Sequence, residues 1–193
     1  MSPRSKLLIQ VDERRDSYLQ ASEVIDWNST GILELAASFS RENSNEVALA
    51  REAFEWARDS VRHSYDHDLS LSPARASAVL EVRQGLCYSK SHLLVALLRA
   101  NSIPAGFCYQ RLAVDPGAGI FCLHGLVAVF LKDFGWYRAD PRGLGGGAEK
   151  EARFTPPVEC LAFEPVGEGE KDYPHVWSEP APDVVSALQS SDS

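Results

Sequence analysis

The sequence is short of several things, and each shortage removes a class of function. Basic residues are outnumbered: 19 Lys and Arg face 27 Asp and Glu, for a net charge of -8. A nucleic-acid or anionic-membrane surface needs a basic patch, so neither partner is expected. No apolar run is long enough to span a bilayer. The N-terminal MSPRSKLLIQVDERRD lacks the apolar core of a secretory signal, because charge follows the LLI at once. The expectation that follows is a reducing, cytoplasmic setting with free thiols. Only four cysteines occur, at 87, 108, 122 and 160, and no two form a C-x-x-C pair. A structural zinc site therefore has little support, and no metal or other cofactor is expected. Internal repeats are absent as well.

What remains is ordinary for a globular chain. A hydrophobic content of 45% over 193 residues is enough for a core and for one domain with a tail. Residues 1–45 read as a lead-in with one helix. KLLIQV is a strand or an approach to one, and Ile32, Leu33, Leu35, Ala36 and Phe39 have helical spacing. Asn43, with Glu46 three residues on, looks like a helix start. Val47, Ala50, Phe54, Ala57 and Val61 then recur at three and four, which predicts a helix over about 45–63. HSYDHDLSLSPARAS is polar, holds Pro73 and reads as a loop.

The next helix, from near Leu86, is apolar nearly all round and so belongs at the centre of a domain. Asn101 suits its C-cap, and Pro104 prevents its continuation. Beyond it the period changes. IPAGFCYQRLAV, FCLHGLVAVFL and GWYRAD are β-branched or aromatic runs divided by the turn-formers DPGAG and KDFG. One more strand is expected over 153–163. Residues 164–193 are acidic and Pro-rich, a tail packed on or trailing from the core with a short helix near 182–189. Helices first and antiparallel strands after make an α+β domain, with its core over 46–163.

One cysteine stands apart from the other three. Cys108, Cys122 and Cys160 lie among apolar residues and read as inert packing positions. Cys87 follows Gly85 and opens the central helix. A free thiol is mostly protonated at neutral pH, and a helix N-terminus, a cation or an imidazole makes it reactive. Lys90, three residues on, shares the face of Cys87; it either assists the thiol, binds a substrate carboxylate, or merely lays its stem on apolar surface. Of the five histidines, His63 and His67 read as solvated, and His92 points to another side of the helix. His124 opens a strand that must be buried, and the following strand ends at Asp140.

If those two strands form a hairpin, His124 and Asp140 share a sheet face only when the pairing parity allows it. Direct pairing of His124 with Asp140 does so through a three-residue loop over 131–133, and an offset of two residues also does. Cys87, His124 and Asp140 are then candidates for nucleophile, base and orienting acid. The backbone N–H of Cys87 would receive the oxyanion together with a second donor, for which Gln84 and Tyr65 are candidates. Arg138 and Arg142 flank the acid as substrate contacts or salt-bridge partners.

SASAVLEVRQGLCYSKSHLLVALLRANSIPAGF, LHGLVAVFL and GWYRADPRG together resemble the transglutaminase-like superfamily, within the broad papain-like group of cysteine enzymes. EAFEWARDSVRHSYD fits the family's run-up, and the order Cys, His, Asp is kept over residues 46–142. The chain is most similar to small stand-alone bacterial members with a C-x-x-K-S-H helix. The resemblance implies a central helix bearing Cys87 packed on an antiparallel sheet bearing His124 and Asp140. It also implies an acyl-thioester route from a peptide or small amide substrate. Nothing resembles the calcium-binding domains of the large animal crosslinking enzymes, so hydrolysis is favoured over transamidation. A catalytically silent partner-binding module of the same fold is the alternative outside enzymology. Arylamine N-acetyl transfer from coenzyme A, and a metal site on Cys87 or the histidines, are weaker ones. Oligomeric state is not indicated.

Overall fold

The computed structural model describes residues 9–11, 14–115, 117–143 and 151–191. Part of the KLLIQV lead-in, 6–8, lies outside them. Four helices precede the sheet: α1 (Thr30–Glu42), α2 (Glu46–Ser60), α3 (Ala76–Val82) and α4 (Cys87–Ala100). Two-residue strands β1 (Arg62–His63) and β2 (Gln84–Gly85) pair in parallel between them, His63 opposite Gly85. The main sheet holds β3 (Ala105–Asp115), β4 (Ile120–Leu131) and β5 (Gly135–Ala139). A separate hairpin joins β6 (Arg153–Thr155) to β7 (Val158–Cys160). β8 (Lys171–Asp172) returns to the far edge, for the order β5-β4-β3-β8, and α5 (Pro182–Ser191) follows. The domain is α+β, as its sequence implies.

Local chemistry explains the boundaries. α2 starts one residue after Asn45, whose side chain accepts the Ala48 N–H at 2.8 Å. Asn43, expected at that start, instead ends α1: its backbone N–H and its amide both donate to the Phe39 carbonyl. Both asparagines have extended backbone, but the Asn43 amide is turned to Phe39 O and Glu52, and only Asn45 meets the N–H three residues ahead. Asn101 is the C-cap of α4, its amide donating to Leu97 O and Ala36 O at 3.1 Å each. The expected single strand over 153–163 is two short ones, because Pro156 and Pro157 cannot donate to a ladder and form the turn.

α4 is the axis of the core. From Ser89 to Arg99 every residue is buried. α1, α2 and α3 pack on it from one side, and β3 and β4 from the other. Leu93, Leu94 and Leu97 are fully enclosed, and truncating any one to Ala costs about 2–5 kcal/mol. Phe107, Tyr109, Val127, Val129 and Leu131 face this core. On the opposite face Cys108, Leu126 and Ala128 form a smaller core with Tyr18, Leu161 and Val176. The polar backs of α1 and α2 face solvent, which is the ordinary use of an amphipathic helix.

The β4–β5 register takes the offset of two. Val127 pairs with Ala139 and Leu131 with Gly135, and residues 132–134 make the three-residue connection. Gly135 has φ +73, a conformation that favours glycine. Asp140 therefore lies just past the strand end and diagonal to His124, on the same face. Among the described residues no helix is long and apolar enough to cross a membrane.

Candidate active site

The site assembles where the first turn of α4 meets β4. Tyr88, second in the helix, lies on the bare backbone of Gly125, where a Cβ would stand 2.6 Å from its ring. Its hydroxyl donates to the carbonyl of Leu123. These two contacts hold the helix N-terminus against residues 123–125 and so bring Cys87 to His124. The imidazole is 4% exposed, lines one cavity with Cys87 and feels its side chain electrostatically. Nε2 lies 2.9 Å from Asp140 Oδ2. A carboxylate can only accept, so Nε2 carries the proton there and Nδ1 is left for the thiol. Phe163 stacks edge-on to the ring at 4.9 Å and fixes its plane.

Asp140 is fully buried, and three hydrogen bonds compensate its charge. Besides His124 it accepts the Arg142 N–H at 3.0 Å and the Ala162 N–H at 3.2 Å. Burial alone would raise its pKa; the His124 charge and these bonds prevail and lower it. For His124 burial alone would lower the pKa, but the charges of Asp140 and Cys87 and their hydrogen bonds raise it to about 10. The direction of this shift favours the imidazolium.

α4 has no side-chain cap. Leu86 occupies the N-cap, and the first ladder bond is Lys90 N–H to Leu86 O at 3.0 Å. The N–H groups of Cys87, Tyr88 and Ser89 precede that ladder and have no intrahelical partner. An anion beside Cys87 meets these donors and the positive end of the helix dipole.

Around Cys87 lies a cavity of about 550 Å³. Leu86, Leu112, Val114, Leu123 and Phe163 give it apolar walls; Tyr65, His63, Arg142, Glu164 and Glu170 supply polar groups. Of the two residues considered as a second oxyanion donor, Tyr65 lines this cavity and is 75% exposed. Gln84 does not line it; it is half-buried in β2 opposite Arg62. Lys90 does not line it either. It is 1% exposed, and its ammonium donates to Arg58 O at 2.8 Å and to Val61 O. Those are terminal carbonyls of α2, which need partners and favour a cation. Burial, with Arg142 nearby, lowers the Lys90 pKa to about 8.

Two expectations are corrected. His63 is not solvated: it is 8% exposed, lines the cavity, and has its Nδ1 enclosed without a hydrogen-bond partner. Burial, then the positive charge of Arg142, lowers its pKa to about 3, so the ring is neutral. Pairing of β1 with β2 places it there, a contact no local pattern announces. Cys122 is not a core residue: it is exposed and lines the same cavity as Cys87. The expectation for Cys108 agrees with its place in the smaller core, where burial pushes its thiol up to about 12. Arg142 is tied to Asp66 by two bonds of 2.5 and 2.7 Å, and Arg138 to Glu159 and Asp172. Among the described residues no group of three His, Cys, Asp or Glu is placed to hold a metal.

The profile of the transglutaminase-like superfamily matches residues 33–141. No curated protein matches the chain significantly. Among solved structures, a candidate cysteine protease from Cytophaga hutchinsonii is similar at a TM-score of 0.52 and 21% identity, over 69% of this chain and 44% of that one. The periplasmic domain of TgpA from Pseudomonas aeruginosa, bound to ethylmercury, gives a TM-score of 0.49 and 20% identity over 66% of this chain and 48% of that one. The chain thus spans less than half the length of either structure, and the first likeness concerns the fold alone.

Proposed function

The chain belongs to the transglutaminase-like superfamily, and from that premise we propose that it is a cysteine amide hydrolase acting through Cys87, His124 and Asp140. One observation carries the reading: a buried imidazole, bonded at 2.9 Å to a buried carboxylate, lines one cavity with a thiol at a helix N-terminus. Neither buried charge has a packing purpose. A hydrophobic pair would stabilise this position as well or better, so the pair is explained by what it does to Cys87.

In the proposed cycle the Cys87 thiolate attacks an amide carbonyl seated between the apolar walls. The S–C bond forms, the C=O π electrons move onto oxygen, and the oxyanion accepts the Cys87 N–H; its collapse re-forms C=O and breaks the C–N bond. The second donor in this reading is the neutral His63 or, at the cavity mouth, Tyr65. His124 gives its proton to the departing amine, and the acyl group remains as a thioester. Water then attacks with His124 as base, releasing the acid and restoring the thiol. Asp140 orients the ring throughout and stabilises its charged form. An amine in place of water would make the same cycle a transamidation.

The test is the pH dependence of Cys87 alkylation by iodoacetamide in the wild type and in His124→Ala, each thiol followed by mass spectrometry. The expected result is rapid alkylation of Cys87 well into the acid range that slows at least ~10-fold in the variant. Equal rates in the two proteins would remove the Cys–His pair and leave the partner-binding alternative. Single-turnover release of p-nitrophenol from p-nitrophenyl acetate then reports acyl transfer itself.

A further inference from the structure

The cavity that holds Cys87 also holds a thiol that the hydrolytic cycle does not use. Cys122 is exposed and lines it. It precedes His124 by two residues, so the two side chains leave β4 on the same face with Cα atoms about 6.6 Å apart. His124 lines the same cavity as Cys87 and feels its charge. Charge on Cys87 is felt at Cys122, and Tyr88, which lines the same cavity, feels each of them. The other cysteines are placed differently. Cys108 is 1% exposed in the smaller core, and Cys160 in β7 directs its S–H to Glu151 O.

This end of the β3–β4 hairpin has room to adjust. Val114 and Ile120 are 64% and 53% exposed, and the register shifts between Ala113 and Asp115. A disulfide needs Cα atoms within about 7 Å of each other, and a loosely packed strand end can close a remaining gap where a core strand could not.

We propose that Cys87 and Cys122 form a peroxide-responsive pair, in which Cys122 captures oxidised Cys87 as a reversible intramolecular disulfide. The inference rests on the reading of Cys87 as an activated nucleophile. In the first step the Cys87 thiolate attacks one peroxide oxygen. An S–O bond forms, the O–O bond breaks, sulfur loses two electrons, and the departing hydroxide takes a proton to become water. In the second step Cys122 attacks the Cys87 sulfur. The S–S bond forms, the S–O bond breaks, and the Cys122 proton passes to the leaving hydroxide, with His124 placed to carry it. In sum two thiols and one peroxide become one disulfide and two waters. The nucleophile is withheld from amide chemistry while oxidised, and a dithiol restores it.

The experiment treats the whole chain with hydrogen peroxide at neutral pH and quenches with N-ethylmaleimide. Peptide mapping compares wild type with Cys122→Ser, and dimedone traps sulfenic acid. In the wild type the expected product is a linked 87–122 peptide pair, removed by dithiothreitol with full return of Cys87 alkylation. In Cys122→Ser, dimedone should label Cys87, and irreversible sulfinic acid should accumulate about tenfold faster. Cys108 and Cys160 serve as internal references. Equal sulfinic acid at Cys87 in both proteins, or a dimedone-labelled wild type with no linked pair, overturns the proposal. Rapid iodoacetamide alkylation without a linked pair overturns this inference alone. A Cys87 inert to both reagents overturns the hydrolase reading with it.

Discussion

Asp140→Asn isolates the buried charge that organises the candidate site. The carboxylate accepts hydrogen bonds from His124 Nε2 at 2.9 Å, Arg142 N at 3.0 Å and Ala162 N at 3.2 Å. Asparagine keeps the shape but offers one acceptor oxygen and one NH₂, so at least one of these donors meets another donor. An unmet buried donor costs about 1–3 kcal/mol, and breaking a buried ion pair costs about 3–5 kcal/mol. The rise of the His124 pKa to about 10 sets a ceiling of roughly 5 kcal/mol, at ~1.4 kcal/mol per pH unit above an ordinary ~6.5. Cys87 shares that ceiling, so the expected loss is about 3 kcal/mol, or roughly 6–12 °C in Tm for a chain of this size.

The pH dependence carries its own sign. The imidazole's pKa is raised on folding, so its contribution is full below ~6.5 and is lost as pH climbs through about 10. The carboxyl's is lowered on folding, so its contribution is full above ~3.9 and is lost as pH falls through its native value. The difference between wild type and variant is therefore greatest between about pH 4 and pH 6.5 and shrinks toward alkaline pH. Urea unfolding at several pH values measures it. A penalty below ~0.5 kcal/mol, or one that does not change with pH, would refute a charged His124–Asp140 pair.

Other substitutions probe the supports. Gly125→Ala drives a methyl group to 2.6 Å from the Tyr88 ring; it should cost about 1–3 kcal/mol and slow Cys87 alkylation, and an unchanged alkylation rate would show that Tyr88 does not set the helix position. Arg99, with no side-chain exposure, donates to the carbonyls of Gln20, Ala105 and Ser178. Arg99→Met orphans these carbonyls and should lower stability by about 3 kcal/mol or more in urea; a loss under ~1 kcal/mol contradicts the account. His63→Ala should slow p-nitrophenyl acetate acylation by about 10²–10³ while leaving iodoacetamide alkylation of Cys87 unchanged. Parallel losses in both assays would assign His63 to structure.

Much of this protein is written locally. The apolar run Leu93–Leu98 covers every face of its helix and dictates a buried central position for α4. The alternating and aromatic runs of β3, β4 and β5 dictate strands, and their order after the helices dictates an α+β domain. The period of two fixes which registers of the paired strands put His124 and Asp140 on one face. Local pattern goes no further, because the same parity allows two registers; the connection over residues 132–134, with Gly135 after it, selects the offset one. Tertiary structure alone decided which polar side chains are enclosed. His63 is buried because β1 meets β2 across α3, Lys90 serves the end of α2, and Cys122 opens onto the cavity of Cys87. Each outcome depends on atoms distant in sequence. The burial of a polar group is settled by the partners it finds, and sequence spacing within one helix or strand cannot name them.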